Sequence, residues 1–175
     1  SICPITSGDS ISYHMGVAKY ILENGKFNED LFYPEAALVG AGEFLNAFAL
    51  SVKAYQFTSL INFIGLISII GILKKFAETQ NLSLDLRDFL YLCILSCPIL
   101  VFLISSSKSQ LLSISIIFFS YALLIYCLNT KQNKNNLEKI SFILFFFPLV
   151  AVQTKISFSL SFFLIISIFF IFFYK

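Results

Sequence analysis

The residues best suited to chemistry cluster near the start of the chain, in Gly8-Asp9-Ser10-Ile11-Ser12-Tyr13-His14. A carboxylate, a phenol and the sequence's sole histidine fall within six positions. A carboxylate and an imidazole can take up a proton, and a phenol can donate or accept a hydrogen bond. Glu35 and Glu43 follow, the latter among small residues in Gly40-Ala41-Gly42-Glu43. Lys108 and Lys155 each stand alone in a short polar break between apolar runs, where an ammonium can meet an anionic headgroup. Each residue also has a plainer role. Asp9 can cap a helix, an effect of about 1 kcal/mol, and His14 can be packed or solvated. Glu43 can snorkel to an interface, and the lysines can touch lipid or water.

Other chemistries are absent from the pattern. There is no GxGxxG, P-loop, HExxH, GxSxG or CxxC motif. With one histidine, a metal site built on His pairs is not expected. Cys93 and Cys97, one helical turn apart, read as small apolar packing residues, and Pro98 beside them reads as a kink.

The elements that must position these groups follow from composition. The 175 residues are 58% apolar and 13% charged, with 22 Phe and no Trp, well outside the usual soluble balance. A net charge of +2 gives no basic surface for nucleic acid. Four cysteines in this length do not make a disulfide scaffold. The chain reads as an integral membrane protein. Beginning at Ser1 and stopping just after an apolar run, it reads as an internal piece of a longer polytopic chain, whose remaining helices would be its partners.

The pattern divides near residue 57. Residues 1–56 hold six acids against three lysines and read as a water-facing unit, whereas residues 57–175 hold nine cations against four acids and read as the transmembrane region. The apolar runs there are Phe57–Leu73, Phe89–Ile104, Leu111–Leu128, Ile140–Val152 and Ile156–Tyr174. A crossing helix needs about 20 residues, so Ile140–Val152 must be extended by its flanks or form a re-entrant pair with the next run. Backbone groups in lipid must satisfy one another, and the runs lack the alternation of a barrel. The expected fold is therefore all-α, a polytopic bundle of about five spans. Lys74, Lys75, Arg87, Lys131, Lys134 and Lys139 mark one end as cytoplasmic by the positive-inside rule. Residues 1–56 and the Lys108 and Lys155 turns then share the opposite face.

Two amphipathic helices are predicted in the first part, both lying at the membrane interface. One covers residues 10–24, with Ile11, Met15, Ala18 and Leu22 on its buried stripe, a cap at Asp9 or Ser10, and a stop at Asn24-Gly25. The other runs from Pro34 to about Lys53, burying Leu38, Leu45, Phe48, Ala49 and Val52.

With these residues in place, a resemblance emerges. Asp9-Ser10-Ile11-Ser12-Tyr13-His14 and Ala18-Lys19-Tyr20-Ile21-Leu22-Glu23-Asn24-Gly25 resemble the first outer loop of GT-C-type membrane glycosyltransferases that use polyprenyl-phosphate sugars. Gly42-Glu43-Phe44-Leu45-Asn46-Ala47, Gln56-Phe57-x-Ser59-Leu60 and Ser105-Ser106-Ser107-Lys108-Ser109-Gln110 are similar to stretches of bacterial polytopic proteins associated with surface polysaccharides. The likeness covers about the first 110 residues. It implies sugar transfer from a lipid-linked donor to an acceptor hydroxyl on the non-cytoplasmic face of a bacterial cytoplasmic membrane. Asp9 would be the catalytic base. Tyr13, His14 and Glu43 would hold sugar hydroxyls, and Lys108 or Lys155 the departing phosphate. Many members carry a second acid beside the first, where this chain has Ser10. A divalent metal is compatible with the chemistry, but no ligand spacing here supports one. The rival readings are a flippase or export component for lipid-linked glycans, a polymerase-type ligase, and a packing segment for the rest of a longer chain. The ligase would need an Arg-rich outer loop that this sequence lacks.

Overall fold

Breaking long apolar runs with short polar turns leaves the backbone one economical arrangement in lipid, the helix closed on its own hydrogen bonds. The computed structural model describes residues 14–26, 40–54, 56–106, 108, 110–130 and 134–173, and among them it holds helices and no strand. Two short helices, α1 (Gly16–Asn24) and α2 (Ala41–Ser51), precede the long ones. Then come α3 (Phe57–Thr79), α4 (Leu84–Leu95), α5 (Pro98–Ser105), α6 (Gln110–Asn129) and α7 (Lys134–Thr154). A single 3-10 turn at Ile156–Phe158 leads into α8 (Ser159–Phe173).

Four stretches are long and apolar enough to cross a membrane: Phe57–Thr79, Gln110–Asn129, Leu137–Thr154 and Ile156–Phe173. The short run at 140–152 is thus extended by its flanks into a full-length helix rather than a re-entrant loop. The next two helices pass the same test only when taken together as one bent unit. α4 and α5 meet at 50° around Ser96-Cys97, with Pro98 at the first position of α5 and Cys97 extended before it, at φ −73° and ψ 111°. Proline drives its predecessor out of the helical region, so the expected kink is found. Asn62, near the start of α3, bonds the carbonyls of Leu103 and Ser106 at the end of α5. The bent pair therefore returns along the whole of α3.

α3 and α6 run in the same direction. Near their starts the Leu111 N–H donates to Asn62 Oδ1 at 3.3 Å, and at their ends Asn129 Nδ2 donates to Gln80 Oε1 at 3.0 Å. They pack more extensively than any other helix pair described. Gly65 makes the approach possible: a Cβ there would lie 2.6 Å from the Leu111 carbonyl carbon and the Leu112 nitrogen. Small residues let membrane helices meet in this way. Leu66, Ile69, Leu103 and Leu111 fill the core between α3, α5 and α6, while Leu124, Leu144, Ala151, Ile165 and Phe169 fill that of α6, α7 and α8.

Several expectations need correction. α2 is turned relative to the predicted face. Gly42, Glu43, Asn46, Ala47 and Ala49 are buried, while Phe48 and Val52 are 56% and 54% exposed. In a bundle surrounded by lipid, large apolar side chains gain nothing by facing inward, and small and polar ones form the contact. α1 buries Ala18 and Ile21 rather than Leu22, for the same close contact with Ala47. Its stop is as expected, with Gly25 at φ 68° and its N–H on the Ile21 carbonyl. The caps at Asp9 and Ser10, and Pro34 and Leu38 in the second helix, lie outside the described residues. Cys93 is exposed and Cys97 half-buried, so neither is a core packer. α4 buries no residue at all. Among the described cysteines, Cys127 on α6 is the buried one.

Candidate functional site

α2 begins where the chain leaves an extended Gly40, at φ −129° and ψ −171°. This corner rests directly on the end of α7, because a Cβ at Gly40 would lie 2.5 Å from the Thr154 carbonyl oxygen and 2.6 Å from that of Gln153. Only a residue without a side chain fits so close. Glu43, the third residue of α2, reaches back, and its Oε2 accepts the Gly40 N–H at 2.9 Å. This satisfies one of the donors that a helix start leaves open and puts negative charge at the positive end of the helix dipole.

The other carboxylate oxygen, Oε1, lies 3.0 Å from Nδ1 of His14. Both side chains are buried. An ionised carboxylate only accepts, so Nδ1 carries the proton and the ring is held in one orientation, with Nε2 as its second functional nitrogen. The pair fastens the start of α1 to the start of α2. Each Glu43 oxygen is already engaged within the protein, so Glu43 acts here as a brace.

One turn further along α2, the fully buried Asn46 accepts a hydrogen bond from Thr58 in the first turn of α3. One turn beyond Thr58, Asn62 Nδ2 donates to the Lys108 carbonyl at 2.7 Å, as well as to Leu103 and Ser106 at 3.0 and 3.1 Å. Asn62 thereby fixes the turn that carries Lys108. On the other side of the Gly40 corner, Thr154 Oγ1 donates to the Ala151 carbonyl at 2.7 Å. Its remaining partner, the Ser113 hydroxyl on α6, therefore donates to it. Lys155 follows immediately and is exposed. The result is a line of buried polar contacts that gathers α1, α2, the start of α3, the α5–α6 turn and the α7–α8 turn at one end of the bundle.

Of the sequence-predicted site residues, His14 and Glu43 are brought into direct contact, and Lys108 and Lys155 stand on turns at the same end. Asp9 and Tyr13 lie outside the described residues, as does Glu35. Sequence reasoning missed Asn46, Thr58, Asn62, Ser113 and Thr154. Their signal was present, since Glu43 with Asn46 and Thr58 with Asn62 are polar pairs at helical spacing on otherwise apolar helices. Among the described residues, no three of His, Cys, Asp and Glu come together as a metal-ligand set.

Fold and site together define a multi-pass helical membrane protein with a buried polar seam at one end of its bundle. The chain belongs to the family described as the DUF1420 N-terminal domain, whose model matches residues 1–174. No curated protein and no solved structure matches it.

Proposed function

We propose that this chain is part of a GT-C-type membrane glycosyltransferase, working on the non-cytoplasmic face of a bacterial cytoplasmic membrane. It moves a sugar from a polyprenyl-phosphate carrier to an acceptor hydroxyl. The observation that carries the reading is the convergence of the His14–Glu43 pair and the Lys108 and Lys155 turns on one bundle end. Asp9 is five peptide units from His14, so even a fully extended chain keeps it within about 18 Å of that anchor.

In the reaction, the acceptor oxygen attacks the anomeric carbon as the bond to the carrier phosphate breaks. The phosphate leaves with the bonding pair, and Asp9 takes the acceptor proton. Lys108 or Lys155 offsets the charge that grows on the leaving phosphate, an electrostatic term that strengthens as water is excluded. His14, oriented by Glu43, and Tyr13 bind sugar hydroxyls. The cation-rich end bearing Lys74, Lys75 and Arg87 faces the cytoplasm, and the remaining helices of a longer chain complete the cavity.

The test is Asp9→Asn in the full-length protein, assayed by release of polyprenyl phosphate from a panel of polyprenyl-phosphate sugars. Loss of a general base lowers the rate by about 10²–10⁴-fold, with expression unchanged. Undiminished release would remove Asp9 from the chemistry. One observation favours a second reading, a carrier for lipid-linked glycans: the bend at Ser96-Cys97, since broken helices mark substrate paths in transporters. Under that reading, proteoliposomes would move the intact lipid-linked glycan across the bilayer and release no polyprenyl phosphate.

A further inference from the structure

Far from the polar seam, α3 and α6 part to leave an open cleft of about 430 Å³, within the size range of small-molecule sites. Its walls are apolar, with Phe76 from α3 and Phe119 from α6 both lining it. Phe119 is backed by Phe147 of α7, their ring centroids 5.6 Å apart. The floor is opened by Gly71, where an added Cβ would meet nothing within 4 Å. From Gly71 to Thr79 the trough is about 12 Å long at 1.5 Å per residue.

The cleft has a polar end. Lys75 is the sole charged residue lining it, and Thr79 and Tyr126 also line it, within one turn of the Gln80–Asn129 link that closes the helix ends. The Lys75 ammonium is well exposed, and its contact with Glu78, at 3.7 Å, is an exposed i,i+3 pair. Such pairs are weak and leave the ammonium open to a stronger anion. Lys74, next to it, is also exposed. The pattern is an apolar trough between two helices long and apolar enough to cross a membrane, with an ammonium toward their polar ends. Its complement is a molecule with a hydrocarbon chain and an anionic head.

We propose that this cleft holds one acyl chain of an anionic phospholipid from the surrounding leaflet, with the lipid phosphate on the Lys75 ammonium. The site is separate from the sugar-transfer end and does not depend on that assignment. Occupancy joins α3 to α6 where they otherwise part, so the lipid acts as a structural ligand of the bundle.

The experiment uses the whole protein in vesicles of phosphatidylglycerol and phosphatidylcholine, extracted in mild detergent and weighed by native mass spectrometry. One phosphatidylglycerol is expected to stay bound, in preference to phosphatidylcholine. Lys75→Gln should lower its occupancy about fivefold, the effect of one cation at the membrane surface, and leave retained phosphatidylcholine unchanged. Gly71→Leu should fill the trough and abolish retention; thermal unfolding of this variant in delipidated detergent at or above the temperature of the parent confirms that the bundle is intact. Inorganic phosphate at millimolar concentration should leave the lipid in place. Equal retention of both lipids, displacement by phosphate alone, retention unchanged in Gly71→Leu, or a second copy of the chain protecting the cleft would each overturn the proposal.

Discussion

A carboxylate withdrawn from water must be paired or neutralised, and Glu43 accepts from the His14 ring on one oxygen and from the Gly40 backbone on the other. Removing it leaves one buried and one partly buried donor without an acceptor. Glu43→Ala should destabilise the protein by about 1–3 kcal/mol, measured by thermal unfolding in detergent. Glu43→Gln keeps one acceptor and should cost less. His14→Ala combined with Glu43→Ala should fall short of additivity by roughly 1 kcal/mol, because the two share one interaction; full additivity would mean that the pair does not act as a unit. Both residues stand out in the sequence by type. Their pairing does not, because 29 positions separate them and no local spacing links the start of one helix to the start of another.

For the helices, the periodicity marked α1 and α2 as amphipathic, yet the inward face of α2 belongs to Glu43, Asn46 and Ala47 rather than to Phe48 and Val52. The rule that apolar residues go inside presumes water outside, and here lipid replaces it. The bend at Pro98 was legible because proline acts on its immediate neighbour, and the stop at Gly25 because glycine tolerates positive φ. The close helix approaches at Gly40 and Gly65 were not, since their partners are backbone atoms far along the chain. Gly40→Val and Gly65→Val should each destabilise the bundle by about 1–3 kcal/mol through overpacking. Gly71→Ala, whose added Cβ meets nothing within 4 Å, should instead stabilise by roughly 0.5–1 kcal/mol by stiffening the helix. A thermal unfolding series covering the three glycines checks the order.

Taken whole, the molecule alternates direction through α3, the bent α4–α5 pair, α6, α7 and α8, which puts the Lys108 and Lys155 turns at the end where α1 and α2 pack. Charge alone indicated this arrangement, because the positive-inside bias depends on loop composition and not on tertiary contact. How that end is held together was hidden, since Asn62, Thr58 and Thr154 are single polar residues whose partners lie on other helices. The proposed sugar transfer needs the seam and both lysine turns to open onto one compartment. Single cysteines at Lys19→Cys, Lys108→Cys and Lys155→Cys in a cysteine-free background test this, using a membrane-impermeant maleimide on intact cells. All three should label from outside, whereas Lys75→Cys and Lys139→Cys should label only after permeabilisation. Labelling of Lys108→Cys and Lys155→Cys from different sides, or of either together with Lys75→Cys, would contradict the account.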